Sequence, residues 1–463
     1  MNAREAGDVA VVGRSVLVTG AGVSGLAAAR ALTSWGADVT IVDAKPERPD
    51  GLAAGVAFAR DTGALPDGTD LVVTSPGWRP DSPVLLAARA VGIDVWGEVE
   101  LAWRMRPRDQ RWLAITGTNG KTTTTGMLAA ILAAAGIRSA AAGNIGVPLV
   151  DLVRSAPPYD VLAVELSSFQ LHWSVTIDPV AAAVLNVAED HLDWHGSMAD
   201  YAAAKGRIFG RSTLPVYDAD DPGARALVAG RPGAVGVTRG APAEGMLGVA
   251  DGRIVDRRFG AGEVLDLKDL SAPGPHNVTN ALVAAALGLA FDLDREAVAA
   301  GLRDYVPGPH RMMLVGTVDG VRYIDDSKGT NPHATAAALQ AYPDAVWIAG
   351  GLAKGATFAD LVREHGQRLS GAVLIGTCAP QITEALTRHA AHVPVIQAAD
   401  LDNAVREAAR LASAGGVVLM SPAAASMDMF DDYKHRGEVF AAAVKALGAS
   451  ASSVNPAVSE EFR

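Results

Sequence analysis

A glycine-containing stretch at residues 115–123 has the residue types for phosphate chemistry. It reads Ile-Thr-Gly-Thr-Asn-Gly-Lys-Thr-Thr, follows a short apolar run and leads into an Ala-rich helical pattern. Gly117 and Gly120 allow a tight turn whose backbone N–H groups can face an anion. In such a loop Lys121 reaches the β- and γ-phosphates of a nucleotide, and the Thr122 hydroxyl binds Mg²⁺. The stretch therefore predicts that this chain uses ATP.

The loop is a variant of the standard phosphate-binding pattern. Ile115 stands where that pattern has its first glycine. The alternative is an ordinary glycine-containing turn between a strand and a helix. The Lys-Thr pair at the helix entry favours the phosphate-binding interpretation.

A second glycine motif lies near the start of the chain. Residues 20–25, Gly-Ala-Gly-Val-Ser-Gly, fit the dinucleotide fingerprint and lie between a predicted strand at 15–19 and a predicted helix at 26–34. The next strand, predicted at 39–42, ends in Asp43, close to the spacing of a ribose-binding acid. Read alone, this motif predicts an NAD-dependent oxidoreductase. A UDP-sugar presents the same diphosphate, so both interpretations stay open.

Two residues in the middle of the chain are candidate metal ligands. Glu165 ends an apolar strand predicted at 160–165, which places it for Mg²⁺ beside the phosphate loop. His191 follows a strand predicted at 181–187 and could complete a metal site or orient a phosphate. A lone histidine is more often structural, so the sequence leaves both roles open for His191.

Three further polar residues belong to helical patterns. From the sequence alone, Lys205 in the helical run 201–209 is a solvated lysine. Asn277 is an N-cap candidate for a long Ala/Leu helix. Asn277 and Asn280 could equally hold the edge of an adenine ring through their amides.

Alternating strand-like and helix-like runs predict an α/β protein with parallel, doubly wound sheets. The chain has 463 residues, of which 49% are hydrophobic and 20% charged. This length predicts several domains, which we place at 1–107, 108–308 and 309–463, with a mobile tail from about 449.

The net charge of −11 argues against binding to nucleic acid or to an anionic membrane surface. No apolar run approaches the length of a membrane span. Cys378 is the only cysteine, so no intrachain disulfide can form. Together these features predict a cytoplasmic protein without membrane insertion.

Eight short motifs stand in a fixed order along the chain. They are residues 117–122 (Gly-Thr-Asn-Gly-Lys-Thr), 142–146 (Ala-Gly-Asn-Ile-Gly), 165–170 (Glu-Leu-Ser-Ser-Phe-Gln), 190–193 (Asp-His-Leu-Asp), 276–280 (His-Asn-Val-Thr-Asn), 310–311 (His-Arg), 326–332 (Asp-Ser-Lys-Gly-Thr-Asn-Pro) and 421–426 (Ser-Pro-Ala-Ala-Ala-Ser). In this order they resemble the Mur ligase family, which builds the peptide of bacterial cell walls. The resemblance extends from about residue 16 to residue 447.

The resemblance implies a three-domain α/β ligase. Its domains would be a Rossmann-like UDP-binding domain, a central P-loop-type ATPase domain with a parallel sheet, and a C-terminal Rossmann-like domain for the incoming amino acid. The motifs are most similar to family members that join D-glutamate to UDP-N-acetylmuramoyl-L-alanine through an acyl phosphate. Such a ligase uses ATP and two Mg²⁺ or Mn²⁺ ions, and we expect a monomer. Sister ligases for other amino acids, folylpolyglutamate-type ligases and a non-catalytic nucleotide-binding module remain alternatives.

The resemblance also implies roles for individual residues. ATP would be bound by Gly117, Thr118, Asn119, Gly120, Lys121, Thr122, Thr123, Asn277, Asn280, Arg311 and Asp326. Metal would be bound by Thr122, Glu165, His191 and a carbamylated Lys205, whose carbamate oxygens suit a hard cation. The catalytic set would be Lys121, His191, Lys205, Asp326 and Lys328. The substrates would be contacted by Val23, Ser24, Ala44, Lys45, Ser75, Asn144, Ser167, Thr330, Lys354, Ser426 and Tyr433.

Three positions differ from the family pattern. Tyr433 stands where phenylalanine is frequent, and its hydroxyl could add a contact beside the amino acid. Gly329 replaces the usual alanine. The loop at 350–354, Gly-Gly-Leu-Ala-Lys, lacks the aspartate that is common there.

Overall fold

A computed structural model describes residues 11–45, 47–272 and 274–454. Within these ranges the strands form sheets of five, nine and six strands. The chain divides into two compact units: the first runs to Glu189 and includes Trp194–Val306, and the second comprises Asp190–Asp193 and the chain from Pro307. The five- and nine-stranded sheets lie in the first unit and the six-stranded sheet in the second. Among the described helices, none is long and apolar enough to cross a bilayer.

The five-stranded sheet is entirely parallel, with strand order β3-β2-β1-β4-β5. Its elements are β1 (Ser15–Thr19), α1 (Val23–Ser34), β2 (Asp38–Asp43), β3 (Ala57–Arg60), β4 (Leu71–Thr74), α2 (Pro83–Ala90), β5 (Val95–Gly97) and α3 (Glu98–Met105). The order reverses beside β1, so the loops after β1 and β4 meet at the carboxyl edge of the sheet. Such a switch point is where open α/β sheets bind ligands.

The nine-stranded sheet has the order β14-β13-β12-β11-β10-β9-β6-β8-β7. Its elements are β6 (Arg111–Thr116), α4 (Lys121–Ala134), β7 (Ser139–Gly143), α5 (Leu149–Leu152), β8 (Val161–Glu165), α6 (Ser168–His172), β9 (Ala181–Val184), α7 (Leu192–His195), α8 (Met198–Gly206), β10 (Leu214–Asp218), α9 (Pro222–Val228), β11 (Val235–Val237), β12 (Leu247–Ala250), β13 (Arg253–Asp256), β14 (Gly262–Asp266), α10 (Pro275–Ala290) and α11 (Arg295–Asp304).

Strand β6 is buried on both faces. Leu113 and Ile115 belong to a core cluster with residues of α4 and α10, while Trp112 and Ala114 belong to a second cluster that includes residues of α3 and α5. Burial on both faces explains the continuous apolar run that the sequence shows here. The carboxyl end of β6, and with it the glycine loop, is therefore held by packing on both sides.

The six-stranded sheet has the order β15-β16-β20-β17-β18-β19. Its elements are β15 (Met313–Val318), β16 (Val321–Asp325), α12 (Pro332–Ala341), β17 (Val346–Gly350), α13 (Ala359–His365), β18 (Gly371–Ile375), α14 (Ala379–His389), β19 (Val395–Gln397), α15 (Leu401–Leu411), β20 (Val417–Met420) and α16 (Tyr433–Val454). Only β15 is antiparallel to its neighbour among the pairs described.

The structure differs from the sequence predictions in three places. The central sheet is parallel from β7 to β12, but β12, β13 and β14 pair antiparallel at its edge. Strand β9 ends at Val184 rather than at the predicted residue 187, because the next residues turn to bond the glycine loop. Helix α16 continues to Val454, beyond the predicted start of the tail at 449, and residues 455–463 lie outside the described residues.

Candidate active site

The glycine loop connects the carboxyl end of β6 to the first turn of α4. Gly120 is the N-cap of this helix and has a φ of 84°. A Cβ at this position would lie 2.4 Å from Asn280 Oδ1, so only glycine fits without displacing that side chain. The N–H groups that begin α4 have no partner within their own helix, and this makes the loop suited to an anion. The geometry fits the phosphate-binding loop predicted from the sequence.

Two lysine side chains converge on the carbonyl of Gly117. Lys121 Nζ lies 2.9 Å from Gly117 O and 2.8 Å from Thr118 O. Lys205 Nζ lies 2.7 Å from the same Gly117 O, although Lys205 is only 1% exposed. The sequence-only interpretation of Lys205 as a solvated lysine is therefore wrong, because α8 directs this side chain inward to the loop. The Lys121 ammonium beside the loop suits a polyphosphate ligand.

Thr118 and Asn119 form hydrogen bonds with residues that lie beside the loop. The Thr118 hydroxyl lies 3.0 Å from Ala188 N and 2.9 Å from the Tyr201 hydroxyl. Asn119 N donates to Asn186 Oδ1 at 2.8 Å. These two predicted ATP-binding residues thus have structural contacts, and sequence reasoning missed Asn186 and Tyr201 as their partners.

Glu165 has one carboxylate oxygen available for a cation. Its Oε1 accepts a 2.9 Å hydrogen bond from Asn144 Nδ2, whereas Oε2 is buried and makes no hydrogen bond within the described chain. Glu165 is 1% exposed and ends β8, the strand beside β6. An unsatisfied, buried carboxylate oxygen fits a hard cation such as Mg²⁺. Among the described residues there is no preformed group of three or more His, Cys, Asp or Glu side chains that could hold a metal ion.

His191 belongs to the second unit rather than to the unit that holds Glu165. It has a φ of 55°, and its Nε2 lies 3.4 Å from Asp190 Oδ2. The predicted role of His191 as a metal ligand stays a prediction.

Asn277 and Asn280 support α4 from the neighbouring helix α10. Asn280 Nδ2 donates to Asn277 Oδ1 at 3.1 Å, and Asn280 Oδ1 accepts from the Thr124 hydroxyl at 3.1 Å. The predicted N-cap role of Asn277 is wrong, because Gly274 is the N-cap of α10 and Pro275 begins it. The adenine contact of both residues stays a prediction.

Ser167 caps helix α6. Its hydroxyl accepts a hydrogen bond from Gln170 N at 3.2 Å, and Gln170 Oε1 accepts from Ser167 N at 3.0 Å. This reciprocal pair is a capping box, which satisfies two helix-terminal N–H groups. Ser167 therefore has a structural role in the described contacts, and its predicted substrate contact stays a prediction.

In the second unit, Asp326 follows β16 and is buried. Burial raises the pKa of its carboxyl to about 7, although the hydrogen bond from Ser421 and the charge of Arg311 lower it. The Ser421 hydroxyl donates to Asp326 Oδ2 at 2.6 Å. In the neighbouring residue Asp325, Oδ2 lies 2.7 Å from His310 Nδ1, within hydrogen-bonding distance. Arg311 and Asp326, both predicted to contact ATP, therefore interact electrostatically.

Lys328 and Tyr433 are in contact. Lys328 Nζ lies 3.2 Å from the Tyr433 hydroxyl and 4.7 Å from the centre of its ring. The hydroxyl that distinguishes Tyr433 from phenylalanine therefore makes a contact with a predicted catalytic lysine. Ser327 donates from its hydroxyl to Tyr433 O at 2.7 Å, which links the loop after β16 to the start of α16.

Arg436 is a residue of this unit that sequence reasoning missed. It is fully buried and donates to Ser327 O at 2.8 Å, to Ser327 Oγ at 2.9 Å and to Ala424 O at 3.1 Å. Burial lowers the pKa of Arg436 to about 10. It joins the loop of the predicted ATP contacts to the loop of Ser426. A single arginine in a helical pattern gives no sequence signal for such a role.

The other predicted amino acid contacts differ in exposure. Ser426 is 2% exposed, Thr330 is half-buried, and Lys354 is exposed with a φ of 49°. Thr330 and Ser426 lie on the two loops that Arg436 and its neighbours hold. The structure leaves the roles of these residues as predictions.

The predicted UDP-binding residues surround the glycine turn after β1. Val23 is 74% exposed at the start of α1, and Ala44 and Lys45 are exposed after β2. Ser24 is half-buried, and the Ser75 hydroxyl donates to Gly20 O at 3.4 Å.

Asp43 turns toward this glycine turn. Its Oδ2 accepts from Ala21 N at 2.7 Å and its Oδ1 from Lys45 N at 3.0 Å. Burial raises its pKa, but the N–H groups of Ala21 and Lys45 and the Lys45 charge outweigh burial, so the pKa of Asp43 is lowered overall. In the dinucleotide fingerprint this carboxylate binds a ribose, whereas here it accepts hydrogen bonds from backbone N–H groups, one of them in the glycine turn.

Comparisons with known proteins identify the family of this chain. The model of the Mur ligase middle domain matches residues 115–288, and that of the Mur ligase glutamate ligase domain matches residues 310–424. The UDP-N-acetylmuramoylalanine–D-glutamate ligase of Thermobifida fusca is 52% identical over 94% of this chain and 99% of its own length. The chain belongs to the Mur ligase family. The corresponding ligase of Frankia casuarinae is 54% identical to this Mur ligase, over 94% of this chain and 94% of its own length. That of Mycolicibacterium smegmatis is 46% identical, over 95% of this chain and 98% of its own length.

Solved structures share the Mur ligase fold. MurF ligase from Thermotoga maritima, in complex with ADP, has a TM-score of 0.58 at 15% identity and covers 96% of each chain. A pseudomurein peptide ligase type C from Methanothermus fervidus has a TM-score of 0.58 at 19% identity, over 88% of this chain and 96% of its own. At these identities the likeness supports the fold alone, and it confirms the predicted three-domain α/β class.

A further family model matches the start of this Mur ligase. The C-terminal domain of alanine dehydrogenase and PNT matches residues 1–59. The matched region contains the glycine turn and Asp43, the features that predicted a dinucleotide site. The match is confined to the first 59 residues, whereas the Mur ligase relatives cover nearly the whole chain.

Proposed function

We propose that this Mur ligase joins the amine of D-glutamate to the carboxylate of UDP-N-acetylmuramoyl-L-alanine in an ATP-dependent step of peptidoglycan precursor synthesis. The observation that carries this proposal is the set of relatives named for that activity, which are 45–54% identical over at least 94% of the chain. The phosphate loop and the buried carboxylate of Glu165 support it chemically.

The reaction needs ATP because a carboxylate does not react with an amine at neutral pH. The substrate carboxylate attacks the γ-phosphoryl group in line, the bond to the bridging oxygen of ATP breaks, and an acyl phosphate and ADP form. The amine of D-glutamate then attacks the acyl carbon, and phosphate leaves. The loop after β6 and Lys121 would hold the triphosphate in position for the first of these steps.

Positive charge must offset the repulsion between three anionic reactants. Lys121 supplies it at the loop, and we propose that Arg311 and Lys328 supply more from the second unit. When bound, Mg²⁺ would neutralise phosphate charge and would be held by Glu165 and the Thr122 hydroxyl. We propose a second ion with His191 and a carbamylated Lys205 among its ligands.

We propose that the five-stranded and the six-stranded sheets carry the residues that recognise the substrates. We propose that the UDP group binds at the switch point of the five-stranded sheet, with Val23, Ser24, Ala44, Lys45 and Ser75. The D-glutamate contacts would be Thr330, Lys354, Ser426 and Tyr433, with Asn144 and Ser167 near the reacting end of the nucleotide sugar.

Phosphate release is the direct test. The purified protein is mixed with Mg·ATP and UDP-N-acetylmuramoyl-L-alanine, and D-glutamate, L-alanine or diaminopimelate is added in parallel. We expect phosphate release that depends on both substrates and is fastest with D-glutamate. Release with another amino acid but not with D-glutamate would assign the chain to a sister ligase.

A nicotinamide-dependent oxidoreductase is the second candidate, because the alanine dehydrogenase model matches residues 1–59. The use of the Asp43 carboxylate by Ala21 and Lys45 argues against a dinucleotide ribose at that position. A fluorescence titration with NADH tests this candidate. We expect no binding, and saturable binding would favour the oxidoreductase.

A further inference from the structure

The segment after β9 holds the phosphate loop from the side. Thr118 N donates to Asn186 O at 3.0 Å, and Ala188 N donates to Thr118 Oγ1 at 3.0 Å. The Asn186 side chain adds two bonds to one residue of the loop. Its Oδ1 accepts from Asn119 N at 2.8 Å, and its Nδ2 donates to Asn119 O at 3.2 Å. Both backbone polar groups of Asn119 are therefore bonded by a single amide.

We propose that Asn186 is a positioning residue for nucleotide binding, which holds the loop in the conformation that aims the first turn of α4 and Lys121 at the phosphates. The inference rests on the proposed function, because it concerns the loop that would bind ATP. Asn186 acts through Asn119 and needs no contact with the nucleotide.

The need for such a restraint follows from the glycines of the loop. Gly117 and Gly120 flank Thr118 and Asn119 and have φ angles of 157° and 84°. Glycine has more backbone freedom than any other residue, so ordering this segment on binding costs free energy unless it is already ordered. Two bonds to the middle of the segment remove much of that freedom before a ligand arrives.

The opposite side of the loop is also restrained. Asn280 Oδ1 accepts from the Thr124 hydroxyl in the first turns of α4 and lies close to Gly120. The loop is thus bracketed by α10 on the helix side and by Asn186 on the strand side. Because Asn119 N donates to Asn186, we expect a phosphate to accept hydrogen bonds from N–H groups after residue 119, at the start of α4.

A matched control lies at the amino end of β6, the strand whose carboxyl end leads into the loop. Gln110 is 3% exposed and precedes β6; its Nε2 donates to Tyr159 O at 3.2 Å, and its Oε1 accepts from Trp112 Nε1 at 3.3 Å. Like Asn186, it is a carboxamide with one donated and one accepted hydrogen bond. It lies at the amino end of β6, away from the loop.

The test compares Asn186→Ala with Gln110→Ala in the full-length protein. Titration calorimetry with ADP and Mg²⁺ measures nucleotide affinity, and hydrogen exchange without nucleotide measures the protection of residues 117–121. We expect Asn186→Ala to weaken ADP binding by about tenfold and to speed exchange in the loop. We expect Gln110→Ala to leave both quantities unchanged, even where its melting temperature falls.

A folded Asn186→Ala protein with wild-type ADP affinity and wild-type exchange in the loop would overturn the inference. If Asn186→Ala does not fold, Asn186→Asp keeps an acceptor for Asn119 N and removes the donor to Asn119 O. This variant must then weaken ADP binding, and unchanged affinity overturns the inference. Wild-type protein that does not bind ADP would overturn the proposed function and the inference together, so the two failures are distinguishable.

Discussion

Replacing Asn144 by alanine distinguishes two roles for this residue. The family resemblance assigns Asn144 to the nucleotide-sugar substrate, whereas the structure shows its Nδ2 donating to Glu165 Oε1 at 2.9 Å. That bond fixes the carboxylate whose other oxygen is buried without a hydrogen bond in the described chain. If Glu165 binds Mg²⁺, Asn144 orients a metal ligand from behind. Asn144→Ala should then weaken metal binding more than it weakens substrate binding.

The size of the effect follows from the type of bond that is lost. A hydrogen bond to a charged group contributes about 1.5–3 kcal/mol, or about 10- to 150-fold in an equilibrium constant. Loss of a partner behind a metal ligand reduces metal affinity by about 10- to 100-fold in other sites. The main chain should hold, because Asn144 N still donates to Glu165 O at 2.8 Å. We therefore expect the half-saturating Mg²⁺ concentration to rise about 10- to 100-fold.

The assay is the initial rate of phosphate release as a function of Mg²⁺, at fixed saturating ATP and substrates. The rate of Asn144→Ala should approach that of the wild type at high Mg²⁺. Asn403→Ala is a matched control, because Asn403 Nδ2 donates to the Asp400 carboxylate at 2.9 Å on the exposed start of α15. An unchanged Mg²⁺ dependence with a raised KM for UDP-N-acetylmuramoyl-L-alanine would refute the metal-orienting role and restore the substrate role.

Three further predictions concern residues of the first unit. Lys121→Ala should abolish phosphate release with an unchanged circular dichroism spectrum, and retained turnover would contradict the loop assignment. Lys205→Ala should be inactive but partly rescued by small carboxylic acids, which replace carbamate oxygens; an inactive variant that no acid rescues would count against carbamylation. Burial raises the pKa of Glu98 from 4.5 to about 7, so the folded state holds a proton that the unfolded state has lost between these pH values. Stability should therefore fall by up to about 3 kcal/mol as the pH rises from 4.5 to above 7, and denaturant unfolding of Glu98→Gln should lack this loss.

The sequence predicted those parts of the fold that depend on local patterns. Strand β1 was predicted at its observed bounds, since a buried parallel strand is a short apolar run ended by a glycine turn. The antiparallel edge formed by β12, β13 and β14 was missed, because pairing direction depends on neighbours that the local pattern does not identify. The phosphate loop was predicted because glycine, lysine and threonine have fixed places in it.

Residues that hold the loop from a distance in sequence were not predictable in the same way. Asn186 and Tyr201 reach Asn119 and Thr118 across 67 and 83 positions, and neither residue type is unusual in a loop or a helix. Arg436 likewise reaches Ser327 across 109 positions. Such contacts arise only when the fold brings distant loops and helices together. Sequence motifs indicate residues that could contact a ligand, whereas the residues that hold them in place are identified only from the folded structure.

The two glutamates of α3 explain how the two sheets of the first unit are joined. Glu98 Oε1 accepts from Val150 N at the start of α5, at 2.8 Å. Glu100 is fully buried and accepts from the N–H groups of Val175 and Thr176 at 2.7 and 2.9 Å.

A buried carboxylate is stable only when its hydrogen bonds are satisfied, and both of these accept N–H groups from segments that connect strands of the nine-stranded sheet. Arg104, from α3 itself, adds a hydrogen bond to Glu100 at 2.7 Å. The sheet of the proposed UDP site and the sheet of the phosphate loop are therefore joined by directional bonds as well as by apolar packing. This connection favours the proposed arrangement, in which a substrate with its UDP group at the first sheet would extend its carboxylate toward ATP for in-line attack.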